Sequence, residues 1–172
     1  MKYQFPITSE RLELHPLSLD DCAAWAPFFV DNPGLKYVAI QNVTDPVKEA
    51  SIWINRQITR YRDSGWGHLK VVDKKTGELV GNAGLILRPT DGTDLLEVAY
   101  SILPAHWGKG YASEAAACLQ AYIRDRKLSD RAISIIHQEN LASQKVAERN
   151  GMKPGREWEY MGMPVCSWEV IF

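Results

Sequence analysis

Seven consecutive residues, Trp107-Gly108-Lys109-Gly110-Tyr111-Ala112-Ser113, have the make-up of an anion cradle. Two glycines let the backbone approach a ligand with no Cβ in the way. With a helix starting behind them, its free N–H groups and dipole suit a phosphate or pyrophosphate. Lys109 adds positive charge at the mouth. A tight turn into a helix uses glycines in the same way, so spacing has to narrow the choice. A nucleoside-triphosphate loop of the form GxxxxGK[ST] requires Lys directly after its last glycine, and here Tyr111 follows Gly110. A dinucleotide fold requires GxGxxG early in a βαβ unit, but Ser113 holds the third glycine position and the loop lies two-thirds along the chain. Both nucleotide readings fail on spacing.

Other chemistry is sparse. Cys22, Cys118 and Cys166 are odd in number and form no CxxC pair, which predicts free thiols in a reducing, cytoplasmic setting. His15, His68, His106 and His137 are dispersed without HxxxH or HExxH spacing, so no metal site is expected. The 172 residues carry 20 Lys+Arg against 21 Asp+Glu, a formal charge of −1. That balance argues against a nucleic-acid binder held by bulk positive charge, though not against a local contact with RNA. At 45% hydrophobic and 24% charged, the composition is that of a globular protein. The length predicts one domain over 1–172 with a sizeable core. No apolar run approaches the roughly 18 residues that span a bilayer, so no membrane partner is expected. Met1–Thr8 does not read as a signal peptide.

The elements that must position the loop follow from periodicity. Ser9–His15 alternates with Leu12 and Leu14 on one face, a strand. Ser18 and Asp21 form a capping-box-like start for a helix over Leu19–Val30, ending before Asn32-Pro33-Gly34. Thr44-Asp45-Pro46 caps a second helix with Val47, Ala50, Ile54, Ile58 and Tyr61 as its core stripe, stopped by Ser64-Gly65. Gly67–Asp73 and Glu78–Leu87 read as a hairpin turning at Gly77, Pro89–Asp94 as a loop, and Leu95–Leu103 as a strand. A helix over Gly110–Lys127, a strand over Arg131–His137 and a short helix over Ala142–Arg149 follow, the last stopped by Gly151. Arg156–Phe172 reads as two strands turning at Gly162-Met163-Pro164. Interleaved helices and strands predict a single α/β layer structure.

The stretch from Leu96 to Ala115 resembles the acetyl-coenzyme A signature of the GNAT superfamily of N-acetyltransferases. The family form Q/R-x-x-G-x-G/A reads here Trp107-x-x-Gly110-x-Ala112, with Trp as in the RimJ/RimL-like branch. Asn140-Leu-Ala-Ser143 through Asn150-Gly151-Met152 is similar to that branch's Asn-x-x-Ser…Asn-Gly-Phe segment, and Thr8–Leu17 and Gly77–Gly81 also match. Two departures stand out. Met152 replaces the usual Phe, a volume-tolerant change. Ala147 replaces a Tyr thought in many relatives to protonate the leaving thiolate.

The resemblance implies a mixed, mostly antiparallel sheet with helices on both faces. Its one parallel pair, Leu95–Leu103 beside Arg131–His137, would splay to admit the pantetheine arm. Backbone groups of Ser101, Ile102 and Leu103 would bind the pantetheine amides. Trp107, Gly108, Lys109, Gly110, Tyr111, Ala112 and Ser113 would surround the pyrophosphate. An uncharged amine would then attack acetyl-coenzyme A directly, needing proximity, a base and an acid. Ser143 is the candidate acid or a helix cap, and Asn140 orients the loop or a coenzyme amide or simply makes a turn. Glu97 is the candidate base or a solvated or salt-bridged strand carboxylate, sharing a strand face with Ala99 and Ser101. His137 and Glu139 are lesser candidates, and Trp53 and Trp66 line the acceptor pocket or fill the core. The acceptor implied is a protein N-terminal amine, the alternative a polyamine, amino acid or drug. A non-catalytic acyl-coenzyme A module is the third reading. The assembly expected is a monomer or homodimer.

Overall fold

The computed structural model describes residues 1–88 and 94–172. The predicted loop at Pro89–Asp94 therefore lies outside the described residues except for Asp94. Eight strands form one sheet in the order β1-β2-β3-β4-β5-β6-β8-β7. They are β1 (Ile7–Thr8), β2 (Leu12–Pro16), β3 (Gly67–Asp73), β4 (Leu79–Arg88), β5 (Leu95–Ile102), β6 (Arg131–His137), β7 (Lys153–Tyr160) and β8 (Met163–Ile171). Every neighbouring pair is antiparallel except β5 and β6. Four helices accompany the sheet: α1 (Cys22–Trp25), α2 (Pro46–Asp63), α3 (Tyr111–Asp125) and α4 (Leu141–Arg149). Among the described residues no helix is long and apolar enough to cross a membrane.

Local chemistry accounts for most of these boundaries. The Asp45 carboxylate accepts from the N–H groups of Val47 and Lys48 and starts α2. Gly77 takes φ +72° in the β3–β4 turn. The predicted first helix is broken instead: Leu19–Asp21 and Ala26–Phe29 are 3-10 turns flanking the single turn of α1. Pro27 lacks the N–H that a continuous helix would need from it. The capping contact at its start is present, the Ser18 N–H donating to Asp21 Oδ2 at 2.8 Å. A 3-10 segment over Pro33–Val38 was not expected, and Ser9–Arg11 is the turn of a small hairpin rather than part of a strand. The stripe of α2 is also shifted. Val47 and Ile58 are exposed, and the face that packs inward is Ala50, Trp53, Ile54, Gln57 and Tyr61.

Alternation along the strands sends side chains into two layers. On one face, Ala115, Ala116, Leu119 and Ile123 of α3 pack on Leu69, Val71, Leu85 and Val98. On the other, Trp25, Phe28 and Phe29 stack with Trp53 of α2 above Leu17 and Leu103. A smaller cluster joins α4 to β6 and β8 through Ala147, Ile136, Met152 and Trp168. Met152 is buried there, filling the Phe position as a flexible apolar side chain does. The three cysteines are unpaired.

Candidate active site

The site begins where β5 and β6 part. Their register is a single pair, Glu97 opposite Ile133, and β5 continues beyond it without a parallel partner. Backbone groups along a strand point alternately to its two neighbours. The Leu103 N–H donates to Val80 O of β4 at 3.0 Å, so the odd-numbered residues face β4. The even-numbered ones face the gap: Val98 O accepts the Ser134 hydroxyl at 2.6 Å, and Ile102 O accepts the Trp107 indole N–H at 2.8 Å. Tyr100 lies between them on the open edge. Of the three residues expected to offer backbone groups, Ile102 does so on the gap side. Leu103 is buried, with its N–H already engaged.

A cavity of about 610 Å³ runs from this gap to the glycine loop. That volume suits an extended small-molecule ligand. Ser101, Ile102, Trp107, Gly108, Gly110, Tyr111, Ala112, Ser113, Asn140 and Ser143 line it, whereas Leu103 and Lys109 do not. Lys109 instead turns its Nζ to His106 Nδ1, 3.3 Å away. Gly110 is the N-cap of α3 at φ +84°, a conformation that glycine adopts without strain. The first N–H groups of α3 consequently face the cavity without intrahelical partners. The loop is latched from behind by Arg11, which donates to Glu114 Oε2 at 2.6 Å and to Lys109 O at 3.0 Å and lies over the Tyr111 ring. Tyr111 in turn donates to Asp73 Oδ2 at 2.6 Å, a bond that holds the Asp73 carboxyl below the usual carboxylate range. Sequence reasoning missed Lys145 and Arg149, cations one turn apart on α4 that line the same cavity. Their spacing of four was legible; the direction of α4 was not.

Ser143 lies in the first turn of α4, its N–H donating to Asn140 Oδ1 at 3.1 Å. Asn140, not Ser143, is therefore the cap of this helix. The Ser143 carbonyl accepts the Tyr100 hydroxyl at 3.1 Å. Burial pushes the Tyr100 phenol up, an effect only partly offset by the Ser143 side chain, so it stays protonated at neutral pH. Ala147, at the position where many relatives have Tyr, is buried in the core behind α4.

A second cavity of about 190 Å³ adjoins the first and is walled by Trp53, Arg56, Gln57 and Arg60 of α2. It shares Tyr37, Val38, Tyr100, Ser101, Asn140 and Ser143 with the first. Glu97, Val98, Ala99, Tyr100 and Ser101 of β5 line it. Glu97 is buried and ion-paired, its Oε2 accepting from Arg88 Nε at 2.5 Å. Trp53 lines this cavity; Trp66 is buried on the α3 side, edge-on to Tyr3. His137 also lines it, with Nδ1 accepting the Glu139 N–H at 3.0 Å. Glu139 points out to solvent, 3.7 Å from Lys36.

Comparison with known proteins agrees with this geometry. The acetyltransferase (GNAT) domain family matches residues 11–153. The Bacillus subtilis protein YkkB is 28% identical over 171 residues, covering 98% of this chain and 97% of YkkB. A GNAT-family acetyltransferase from Bacillus anthracis superposes with a TM-score of 0.78 at 21% identity, covering 96% of this chain and 97% of that one. RimL, a ribosomal-protein alpha-N-acetyltransferase solved with coenzyme A, gives 0.74 at 18% identity, with 96% of each chain covered.

Proposed function

The chain belongs to the GNAT acetyltransferase family, and from that premise we propose that it moves an acetyl group from acetyl-coenzyme A to a primary amine by direct attack in a ternary complex. One observation carries the reading: two adjoining cavities meet at a rim of Tyr100, Ser101, Asn140 and Ser143. Donor and acceptor can thus be held at once with their reacting atoms adjacent, which supplies the proximity that acyl transfer needs. Among the described residues no cysteine lines either cavity, so a covalent acyl-cysteine route has no nucleophile there.

In this reading the α3 N-terminus holds the pyrophosphate, with Lys145 and Arg149 beside it. The open-edge backbone of Tyr100 and Ile102 receives the pantetheine arm and polarises the thioester carbonyl. The amine nitrogen forms a bond to the carbonyl carbon as the carbon–sulfur bond breaks. One proton leaves the amine and one reaches the departing thiolate. Ser143 donates the latter, its hydroxyl lying in the rim. The amine's proton passes through cavity water toward Glu97, four residues or about 13 Å along β5 from Ser101. His137 is poorly placed for that task, because its acceptor nitrogen is already taken by the Glu139 N–H.

A protein N-terminal amine is the acceptor that the likeness to RimL supports. A free amino-acid-sized amine is supported by the second cavity, whose roughly 190 Å³ takes a group of about one residue. Both are tested by thiol release across amines and short peptides. We expect intersecting initial-rate lines and no coenzyme A released without amine. Ser143→Ala should slow the chemical step with acetyl-coenzyme A affinity nearly intact. Parallel lines with a burst of free thiol would overturn the ternary reading, and unchanged turnover in Ser143→Ala would remove it as the acid.

A further inference from the structure

The second cavity has an electrostatic imbalance that the transfer chemistry does not require. Among the described residues Arg56, Arg60 and Arg88 line it, and Glu97 is its single carboxylate. Three guanidinium charges against one carboxylate leave a surplus of two. Arg88 is ion-paired: Glu97 takes its Nε, Tyr160 accepts from Nη1 at 2.9 Å, and the guanidinium lies 5.2 Å from the Tyr160 ring centroid. Arg60 is different. Its Nη1 donates to Gln57 Oε1 at 3.1 Å, a neutral acceptor, and among the described residues no carboxylate pairs with Arg60 or Arg56. The two lie one turn apart on α2, on the side that carries Trp53 and Gln57 into the cavity wall.

Arg60 is half-buried and Arg56 exposed; a partly buried cation without a counter-charge is unfavourable, and a cleft lined by one sign of charge concentrates ions of the other. Burial, with the charges of Arg88 and Arg56, lowers the Arg60 pKa, which reports the same like-charge crowding. A second, independent observation lies beside it. His68 is buried and lines this cavity, and neither of its ring nitrogens has a hydrogen-bond partner. A buried neutral imidazole with an unused N–H beside a guanidinium that has no carboxylate partner leaves donors of both residues unmatched. Carboxylate and phosphate oxygens fit such donors, because an Arg fork binds two oxygens at once.

We propose that the amine acetylated by this protein carries a carboxylate or phosphate, and that Arg60, Arg56 and His68 bind that anion while the amine reaches the rim at Ser101 and Ser143. The inference rests on the reading that the second cavity receives the acceptor. Register sets the span: His68 pairs with Gly84 and Gly84 with Ala99, two residues or about 7 Å along β5 from Ser101. Amine and anion are then a few bonds apart, as in an amino acid, a phosphorylated amino alcohol or the first residues of an acidic peptide. Glu97 keeps Arg88 occupied, so the free charge falls on the two α2 arginines.

Matched acceptors test this. Coenzyme A release is measured for phosphoethanolamine against ethanolamine, for alanine against alaninamide, and for short peptides starting with Glu against those starting with Gln. The first two pairs report a small-molecule source of the anion and the third a peptide. We expect the anionic partner of at least one pair to be favoured about ten- to a hundredfold in kcat/KM, the range of a charge-assisted contact. Arg60→Met, which keeps the apolar stem, should bring that ratio close to one, and Arg60→Lys should restore part of it. The melting temperature and acetyl-coenzyme A affinity of each variant confirm that it is folded. Neutral partners equal or preferred in every pair would overturn the proposal while leaving the acetyltransferase reading intact. Equal losses for both partners in Arg60→Met would also overturn it. Binding of inorganic phosphate and succinate to the acetyl-coenzyme A-loaded protein is followed separately by calorimetry. If no amine turns over yet these anions bind and Arg60→Met abolishes that binding, the anion site stands and the amine reading fails. If nothing turns over and no anion binds, both fail.

Discussion

Replacing Gly110 with alanine forces a Cβ onto a left-handed residue. Gly110 sits at φ +84°, ψ 0°, and that region costs an L-residue about 1–2 kcal/mol. The steric addition is minor. An added Cβ would meet only Arg11 Nη2, at 3.4 Å, the end of a flexible side chain. The strain of about 1–2 kcal/mol must then appear either in folding or in the loop. If the loop keeps its shape, the melting temperature falls by about 2–4 °C per kcal/mol for a domain of this size, or about 2–8 °C. If the loop relaxes, acetyl-coenzyme A affinity falls by the same energy, about five- to thirtyfold. Thermal melting and titration calorimetry on Gly110→Ala measure the two losses, which together should account for the strain. Gly110→Asn should recover part of it, since Asn visits the left-handed region more readily. A Gly110→Ala protein with wild-type melting and wild-type affinity would refute the argument, because the strained conformation would then have no role in the loop.

Two further outcomes follow from single contacts. Asn140→Ala removes the cap of α4 and should lower stability by about 0.5–2 kcal/mol; urea denaturation with an unchanged midpoint would show that the cap contributes nothing. His68 is held neutral when folded, its pKa pushed by burial and by Arg60 and Arg88 from 6.5 to about 3. The unfolded chain therefore binds the extra proton between those values. Stability should fall as pH drops below 6.5, by up to ~1.4 kcal/mol per pH unit from this group. His68→Leu should flatten that slope by one proton in denaturation series run in mildly acidic buffers, and an identical slope would show that His68 does not titrate this way.

Local signals carried most of the architecture. The Asp45 cap, the Gly77 turn, the Gly110 loop and the Gly151 stop each fix a boundary through backbone chemistry within a few residues, and each is legible in sequence. The errors arise where tertiary packing overrides periodicity. Val47 and Ile58 have helical spacing, yet the inward face of α2 is set by Trp53 and Gln57, because the aromatic cluster of Trp25, Phe28 and Phe29 sits there. The first predicted helix failed on Pro27, a local signal given too little weight against the capping box. In the site, the glycine loop was readable because it is contiguous. Tyr100 and the α2 arginines were not, because their roles depend on which elements meet across the sheet.

Net charge illustrates the same division between local and long-range information. The chain sums to −1, but its acidic residues are largely committed to structure. Asp45 caps α2, Asp21 closes a turn and holds Lys70, Asp73 accepts Tyr111, and Glu114 holds Arg11. A carboxylate serving as a cap or latch cannot also neutralise a distant arginine, since the interaction fades within about a Debye length and requires contact to orient it. Among the described residues Arg56 and Arg60 are left without a carboxylate partner within a neutral total, because the sheet brings Arg88 and Glu97 together and commits the cavity's one described carboxylate to that pair. Composition can exclude a surface that coats nucleic acid; it is blind to a surplus of two charges inside one cavity, which topology alone creates.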